Sequence, residues 1–478
     1  MMAIVGGLEA SPLRVLPVEL LLKITDSLPT PDLGAFRLSC YALHASLDTS
    51  FIKEFFTQKQ FMISVFSLTA LVRISESRLA PHLRSLQLGL DRLQVISNYQ
   101  MKRAGFLPQE QLFYNDLLAG ERYARATGTH QDLLATALKK LPNLESVVIR
   151  DHDLKSRTRE GRHALWKSYG AETIFQATGL HPSHSSGDGP LGFEASDVFS
   201  LVLHACAQSG ARPRAIEVNT HDAALTGHAF FIPTGTMQQS VISVIEGLEK
   251  LQLNLFPEFK DDGGPDLSTL SLGQTATTTP VSSRVLDPNY LLHQFLCKAS
   301  NLRDLRINQM DTTKIARHNN PASYILDWLA IAATSSSSIL PKLQHLGFGH
   351  FTISAQDLTR LMRAFSKRLR SLELRSIVLF QPLPELAEGE YWPMDNMWSA
   401  FFQDLRKIPD LDLHHIKFSR MNQKHYCGGG HFGPLCKVGI AEERNINYTG
   451  PDWHKHLEEK ESEMEIEWHY EYVGYRHC

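Results

Sequence analysis

Residues 248–253 read LEKLQL, which is an apolar residue, two others, an apolar residue, one other and an apolar residue. The final Leu-Gln-Leu alternates apolar and polar side chains, as a half-buried β-strand does. Helix-like stretches, such as residues 197–208 and 355–367, lie between copies of this pattern, so the sequence predicts repeated helix–turn–strand units. The other copies are residues 83–88, 144–149, 213–218, 302–307, 343–348, 369–374 and, more loosely, 413–418.

Repeated units of this kind resemble leucine-rich repeats, which stack side by side into a solenoid. The copies begin 26 to 69 residues apart, whereas compact leucine-rich repeats need roughly 20–29 residues. We therefore predict an α/β fold, an irregular leucine-rich-repeat-like solenoid with long loop insertions such as residues 181–190 and 261–287. An unrelated α/β domain, in which the pattern recurs through strand composition, stays open as the alternative.

A different, helical pattern occupies the N-terminal segment, where residues 16–43 read LPVELLLKITDSLPTPDLGAFRLSCYAL. Pro17 suits the first position of a helix, Pro29 and Pro31 separate it from a second, and a third short helix is predicted over residues 41–48. The apolar side chains of the first helix cover an arc of roughly 200°, about twice the stripe of a surface helix. Because both sides of this arc need cover, either the following domain or another protein must supply it.

This segment resembles the F-box motif. The family pattern is Leu-Pro-x-Glu-Leu-Leu, then Ile, then Leu, an acidic–Leu pair and a Cys. Two positions depart from it, because Leu43 stands where a tryptophan is usual and Tyr41 follows the cysteine where a basic residue is usual. The chain supplies the pattern in order as Leu16, Pro17, Glu19, Leu20, Leu21, Ile24, Leu28, Asp32, Leu33 and Cys40.

The resemblance implies a three-helix module that docks on the Skp adaptor of an SCF-type cullin–RING ubiquitin ligase, while the rest of the chain selects the client protein. The family supplies no catalytic residue, so it implies a non-catalytic receptor subunit without cofactor or metal. Such a receptor acts by proximity, because it raises the effective concentration of client lysines near the loaded conjugating enzyme. The adaptor-binding residues implied are Leu16, Pro17, Leu20, Leu21, Ile24, Leu28, Asp32, Leu33, Cys40 and Leu43.

The two resemblances together predict three parts of the chain. These are an F-box domain over residues 14–58, a leucine-rich-repeat-like substrate-binding domain over residues 60–425, and a C-terminal loop and acidic segment over residues 426–478. The polar residues between strand leucines line the concave face of a solenoid, which is its usual binding surface. Client contacts are therefore predicted on the long loops and at Gln87, Gln252, Arg306 and Glu373.

Composition bounds the class of protein. A chain of 478 residues with 43% hydrophobic and 21% charged residues is globular, and its formal net charge of −3 predicts no general attraction to nucleic acid. No run of 18 apolar residues occurs, so no membrane span is predicted, and residues 1–17 make a poor signal peptide. The 6 cysteines contain no CxxC pair, which favours a reducing intracellular compartment, the cytoplasm or the nucleus.

Motifs of catalysis are missing from the sequence. Residues 428–433 formally match GxGxxG, but Pro434 follows and no helix is predicted to receive a pyrophosphate. The nearby His425, Cys427, His431 and Cys436 do not have the spacing of a zinc site. Two alternatives to a ligase receptor stay open. One is a non-ligase scaffold that keeps the adaptor contact, and the other is an enzyme with an unrecognised site in residues 60–478.

Overall fold

The computed structural model describes residues 13, 16–93, 95–96, 98–103, 105, 107–152, 168–182, 193–256, 290–310, 326, 329, 339–382, 396–427, 431–432, 436–440 and 445–468. Helices and mainly parallel strands make up these residues, so the predicted α/β class is confirmed. The chain divides into two compact units, the first formed by residues 1–187 and 208–211 and the second by 188–207 and 212–478. The domain boundaries predicted from the sequence stay a prediction.

The first unit begins with three helices, α1 (Val18–Asp26), α2 (Thr30–Leu38) and α3 (Tyr41–Phe55). Helix α1 starts directly after Pro17, and Pro31 lies in the first turn of α2, where its missing N–H costs nothing. Helix α3 extends to Phe55, beyond its predicted end at Asp48, because Ile52 and Phe55 continue its buried side. The expectation of three helices in this segment is confirmed.

Parallel strands follow in the same unit. Strands β1, β2 and β3 pair in order, with Phe61, Leu88 and Ile149 in register, and these three side chains are fully buried. The predicted strand segments 86–88 and 147–149 therefore lie in β2 and β3. The remaining elements of this unit are β1 (Gln58–Met62), α4 (Val65–Ser75), a 3-10 turn (Ala80–His82), β2 (Ser85–Gly89), α5 (Asn98–Arg103), α6 (Pro108–Ala126), α7 (Thr129–Leu138), β3 (Ser146–Arg150) and α8 (Ala171–Thr178).

The second unit alternates helices and strands. Its elements are α9 (Phe193–Ser209, whose last two residues count with the first unit), β4 (Ala215–Asn219), two 3-10 turns (Gly227–Phe230 and Gly235–Met237), α10 (Gln238–Glu246), β5 (Lys250–Leu255), α11 (Tyr290–Lys298), β6 (Asp304–Gln309), β7 (His345–Gly349), β8 (Thr352–Ser354), α12 (Ala355–Phe365), β9 (Ser371–Arg375), β10 (Val378–Pro382), α13 (Met397–Arg406), β11 (His415–Ser419), β12 (Asn422–Cys427), β13 (His431–Phe432), β14 (Cys436–Ile440), β15 (Asn445–Thr449), α14 (Trp453–Ser462) and β16 (Met464–Trp468).

Its main sheet contains the predicted repeat strands. Strands β4, β5, β6, β7, β9 and β11 are successive parallel neighbours, and β15 pairs antiparallel with β11. The apolar residues of the pattern fall in register and are buried, as Leu251, Leu305, Leu346 and Leu372 illustrate. The periodicity thus predicted the strands of this unit, and the structure shows that they pair in parallel.

A second sheet was not predicted. Its order is β16-β14-β12-β10-β8, with β13 paired to β12, and β10 is parallel to both β8 and β12. The chain enters it by the same turn three times, through a residue with positive φ, namely His350, Ser376 or Arg420. The residue after each turn, Phe351, Ile377 or Met421, is buried. These strands lack the L-x-x-L-x-L pattern, which explains why the sequence did not reveal them.

Several predicted loop segments lie outside the described residues. They are residues 183–190 of the first polar loop, the whole of 261–287, and Gly428–Gly430 of the glycine-rich motif with Gly433. Among the helices that the structure describes, none is both long and apolar enough to cross a membrane.

Candidate functional site

The three N-terminal helices pack around a small apolar core. Leu21 of α1 is buried against Leu43 and Leu47 of α3. Thr25, one helical turn after Leu21, is buried as well, so these residues mark the side of α1 that faces its own module. The side chains partly buried around this core are Leu16, Leu22, Phe36 and Cys40.

The rest of the apolar arc of α1 is open to solvent. Leu20 is 45% exposed and Ile24 is 38% exposed, and the two lie one turn apart. Leu38 at the end of α2 is 70% exposed and Tyr41 at the start of α3 is 86% exposed. Pro17 and Val18 of the same segment are exposed as well. The first unit therefore covers only one of the two apolar sides predicted for this helix.

The predicted adaptor residues divide into three groups. Leu21, Leu33 and Leu43 are buried and hold the module together, so they are not accessible to a partner. Leu16, Leu28 and Cys40 are partly buried. The exposed ones are Pro17, Leu20, Ile24 and Asp32. Adaptor binding by these residues remains a prediction, but burial shows which of them a partner can reach without opening the module.

An ion-pair network that sequence reasoning missed ties the module together. Arg37 of α2 is 9% exposed and donates to Asp48 Oδ1 of α3 at 2.6 Å. Arg78 binds both oxygens of the same carboxylate, one of them at 2.9 Å. Hydrogen bonds from Arg78, followed by those from Arg37, hold the pKa of Asp48 well below its usual range although partial burial opposes the shift. The partners are 11 and 30 residues from Asp48 in sequence, so no local pattern signals this network.

The polar face of the second unit's main sheet carries charged side chains in register. Gln252, Arg306, Gly347, Glu373 and Lys417 occupy equivalent positions on five successive strands. These are the residues between the strand leucines, so their side chains share one face of the sheet. The predicted client positions in this unit thus lie on a single polar row.

Gly347 lets an ion pair cross a whole strand. Arg306 of β6 donates to Glu373 Oε2 of β9 at 3.1 Å, although β7 lies between them. A Cβ at Gly347 would lie 3.2 Å from Arg306 Cγ, so the missing side chain makes room for the guanidinium stem. His415 of β11 approaches Glu373 at 3.8 Å. In the sequence, the one sign of this ion pair was Gly347, the glycine between the apolar residues of its strand.

Burial perturbs a neighbouring carboxylate on the same face. Asp304 of β6 is register partner to Lys250 and to His345. Its burial raises the pKa of Asp304, whereas the charge of Lys250 opposes that shift. Lys250 also donates to Glu217 at 3.0 Å. Positive and negative side chains therefore alternate on this face of the sheet. This arrangement suits the binding of a polar protein surface better than the binding of a polyanion.

The predicted client positions differ in accessibility. Gln252, Arg306 and Glu373 are partly exposed, as expected. Gln87 is 2% exposed and donates to Gln58 Oε1 at 3.1 Å, so the prediction that its side chain is exposed is wrong. The shared pattern placed Gln87 on the polar side of a strand, but that side chain is buried and bonded to Gln58 of the neighbouring strand β1.

Metal-capable side chains do not converge within either unit. Inside each unit, the part of the chain that the structure describes holds no set of three His, Cys, Asp or Glu ligand atoms close enough for one ion. The side chains of His425, Cys427, His431 and Cys436 lie outside the described part. No residue is therefore assigned to a cofactor or a metal.

Comparison with known proteins adds little. The sequence matches no protein-family model and no curated protein. Among solved structures, the chain is similar to one from the crystal structure of the Rad7 and Elc1 complex in yeast, with 12% sequence identity, 83% of this chain and 86% of that chain covered, and a TM-score of 0.21. At that TM-score the likeness supports no conclusion about the fold or the function of this chain.

Proposed function

We propose that this chain is an F-box substrate-recognition subunit of an SCF-type E3 ubiquitin ligase. Its N-terminal helices dock on the Skp adaptor, through it on the cullin–RING ligase, and its repeat domain presents a client protein. The subunit is not catalytic and acts inside the cell, in the cytoplasm or the nucleus. The observation that carries the proposal is the exposure of Leu20 and Ile24 within a segment that has the F-box pattern.

The energetics of α1 support an adaptor contact. Fully covering one leucine or isoleucine contributes roughly 1.5–3 kcal/mol. Helix α1 buries Leu21 and Thr25 on one side, and this packing holds its other side in place for a partner. Leu38 and Tyr41 add exposed apolar area to the same module. Scattered exposed apolar residues are ordinary, but several on three short helices favour a protein partner.

The client surface that we propose is the polar row of the second unit. Arg306 and Glu373 lie on β6 and β9 of one sheet, with β7 between them, and both side chains are partly buried and paired with each other, so their positions are well defined. Gln252 extends the row on β5. The long insertions, 261–287 above all, stay a second proposed source of client contacts.

The first experiment removes the adaptor contact. The full chain carrying Leu20→Asp and Ile24→Asp should bind the Skp adaptor roughly a thousandfold more weakly, a loss of about 4 kcal/mol, because two carboxylates would be placed in an apolar interface. Both positions are solvent-exposed, so the variant should keep its fold, which a thermal melt checks. The matched control is Leu112→Asp with Tyr123→Asp, two exposed apolar residues of α6. Wild-type adaptor affinity in the first variant would refute the F-box assignment.

The second experiment separates a ligase receptor from a scaffold or an enzyme. Proximity labelling with and without proteasome inhibition identifies bound clients, and reconstituted ubiquitination of such a client supports the receptor. Arg306→Glu combined with Glu373→Arg retains their mutual ion pair but reverses its direction on the sheet. That variant should weaken client capture and leave adaptor binding unchanged. Undiminished capture would contradict the polar row as the client surface.

A further inference from the structure

Helix α6 packs on the rest of the first unit through one of its sides. Tyr114 and Ala124 on that side are buried, and Glu121 pairs with buried His130 at 2.9 Å. Glu121 also accepts a hydrogen bond from the backbone N–H of Val65 at 3.1 Å. These contacts hold the helix in one rotational orientation, so the direction of its opposite side is fixed as well.

The opposite side of α6 presents a stripe of residues to solvent. They follow one another at alternating steps of four and three, and all of them are exposed, namely Leu112, Asp116, Ala119, Tyr123 and Ala126. This spacing is the one by which two helices pack along a shared seam. Leu112 is 64% exposed and Tyr123 is 71% exposed, while the small Ala119 at the centre allows the axis of a second helix to come close.

Two copies of this stripe are complementary when they lie antiparallel with Ala119 opposite Ala119. Asp116 and Arg122 each lie three residues from Ala119, so a two-fold axis at Ala119 brings Asp116 of one copy level with Arg122 of the other. Leu112 and Ala126 each lie seven residues from Ala119, so a large side chain meets a small one. Within the described part of the chain, Asp116 and Arg122 are exposed and form no ion pair, which leaves both charges available to a second copy.

We propose that α6 is the interface of a homodimer, in which the helices of two copies pack antiparallel and cross at Ala119. The Asp116–Arg122 pairs between the copies define the register, and Leu112 and Tyr123 contribute the apolar area. Binding of an unrelated helix would not require a stripe that is complementary to itself about its midpoint, so the occupant is a second copy. The 19-residue helix is about 28 Å long, so its contact is smaller than a standard interface and the dimer forms reversibly at roughly micromolar concentration.

The test is the self-association of the full chain, measured by sedimentation velocity from about 1 to about 100 μM, where the wild type should shift from monomer to dimer. Asp116→Arg places two arginines at each contact and Arg122→Asp places two aspartates there, so each variant alone should dimerise at least about tenfold more weakly. Mixed in equal amounts, the two variants should associate about as tightly as the wild type, because each carries the charge that the other lacks. The chain with both changes should also dimerise like the wild type.

The matched control is Lys139→Asp, which reverses an exposed charge directly after α7 and should leave dimerisation unchanged. Leu112→Asp with Tyr123→Asp should abolish the dimer, and a thermal melt of each variant checks its fold. A wild-type chain that stays monomeric up to about 100 μM would overturn the proposal. So would a mixture of the two single variants that associates no more tightly than either one alone. All of these variants keep Leu20 and Ile24 and should bind the Skp adaptor like the wild type, so this proposal and the proposed function fail by different measurements.

Discussion

Helix α1 and strand β2 reverse the usual distribution of side chains between core and surface. Leu20 and Ile24 of α1 are exposed to water, whereas Gln87 of β2 is buried. Both elements were predicted correctly from their periodicity, so the difference does not come from secondary structure. It teaches that periodicity determines which residues share a face, while the neighbours of that face decide whether it is covered.

Strand β2 of the first unit and strand β5 of the second differ in the same way at an identical residue. Gln87 and Gln252 occupy the same position of the same pattern, yet Gln87 is buried in the first unit and Gln252 is partly exposed in the second. The first unit also buries Gln60 on the neighbouring strand, where it donates to Ser168 Oγ at 2.9 Å. A polar residue between strand leucines is therefore accessible to a partner only where nothing else packs on that face.

The largest expected effect contrasts two adjacent leucines of α1. Leu21→Ala should lower the free energy of unfolding by about 2–5 kcal/mol, because it leaves a cavity beside Leu43 and Leu47. Leu20→Ala should change it by less than about 1 kcal/mol, since its side chain is already half in water. Urea denaturation of both variants measures the difference. Equal destabilisation would mean that α1 packs on both of its sides.

The second effect concerns Asp48 and depends on pH. Asp48→Asn should lower the free energy of unfolding by about 2–3 kcal/mol at pH 7, because buried Arg37 loses its charged partner. The hydrogen bonds from Arg78 and Arg37 lower the pKa of Asp48 in the folded state. This contribution is therefore complete above the unfolded-state pKa of about 3.9 and is lost as the pH falls toward the lower folded-state value.

Urea denaturation of the wild type and Asp48→Asn between neutral and acidic pH tests the direction of this pH dependence. The difference in free energy of unfolding between the two proteins, called the gap below, should be widest near neutral pH and should narrow below about pH 4. A gap that stays constant down to the lowest accessible pH would show that the carboxylate charge is not what stabilises the module. Arg73→Gln, an exposed change elsewhere in the first unit, controls for general acid effects.

The smallest expected effect is a difference in the free energy of unfolding between variants of Gln87 and of Gln252. Gln87 Oε1 is buried and has no hydrogen-bond partner among the described residues. Gln87→Met removes that oxygen at nearly constant volume and should raise the free energy of unfolding by about 1 kcal/mol. Gln252→Met should change it by less than about 0.5 kcal/mol, because that side chain reaches water. Destabilisation by Gln87→Met would show that its hydrogen bond to Gln58 outweighs the unpaired oxygen.

Much of the architecture was readable from the chain alone. The leucine pattern predicted the buried strands that pair within each unit, because side chains alternate strictly along a strand. The prolines at 17, 29 and 31 marked the boundaries of α1 and α2, because proline cannot donate a backbone hydrogen bond. The second sheet was missed, since its strands lack the pattern.

By itself, then, the sequence determined the local elements and the faces of α1 that are apolar. Only the tertiary structure decided that Leu21 is covered and Leu20 is not, that Arg37 meets Asp48, and that Arg306 crosses Gly347 to reach Glu373. The physical reason is the separation along the sequence over which each interaction acts. Periodicity and capping act over a few residues, whereas burial and ion pairing depend on residues 11 to 67 positions apart that only the folded chain brings together.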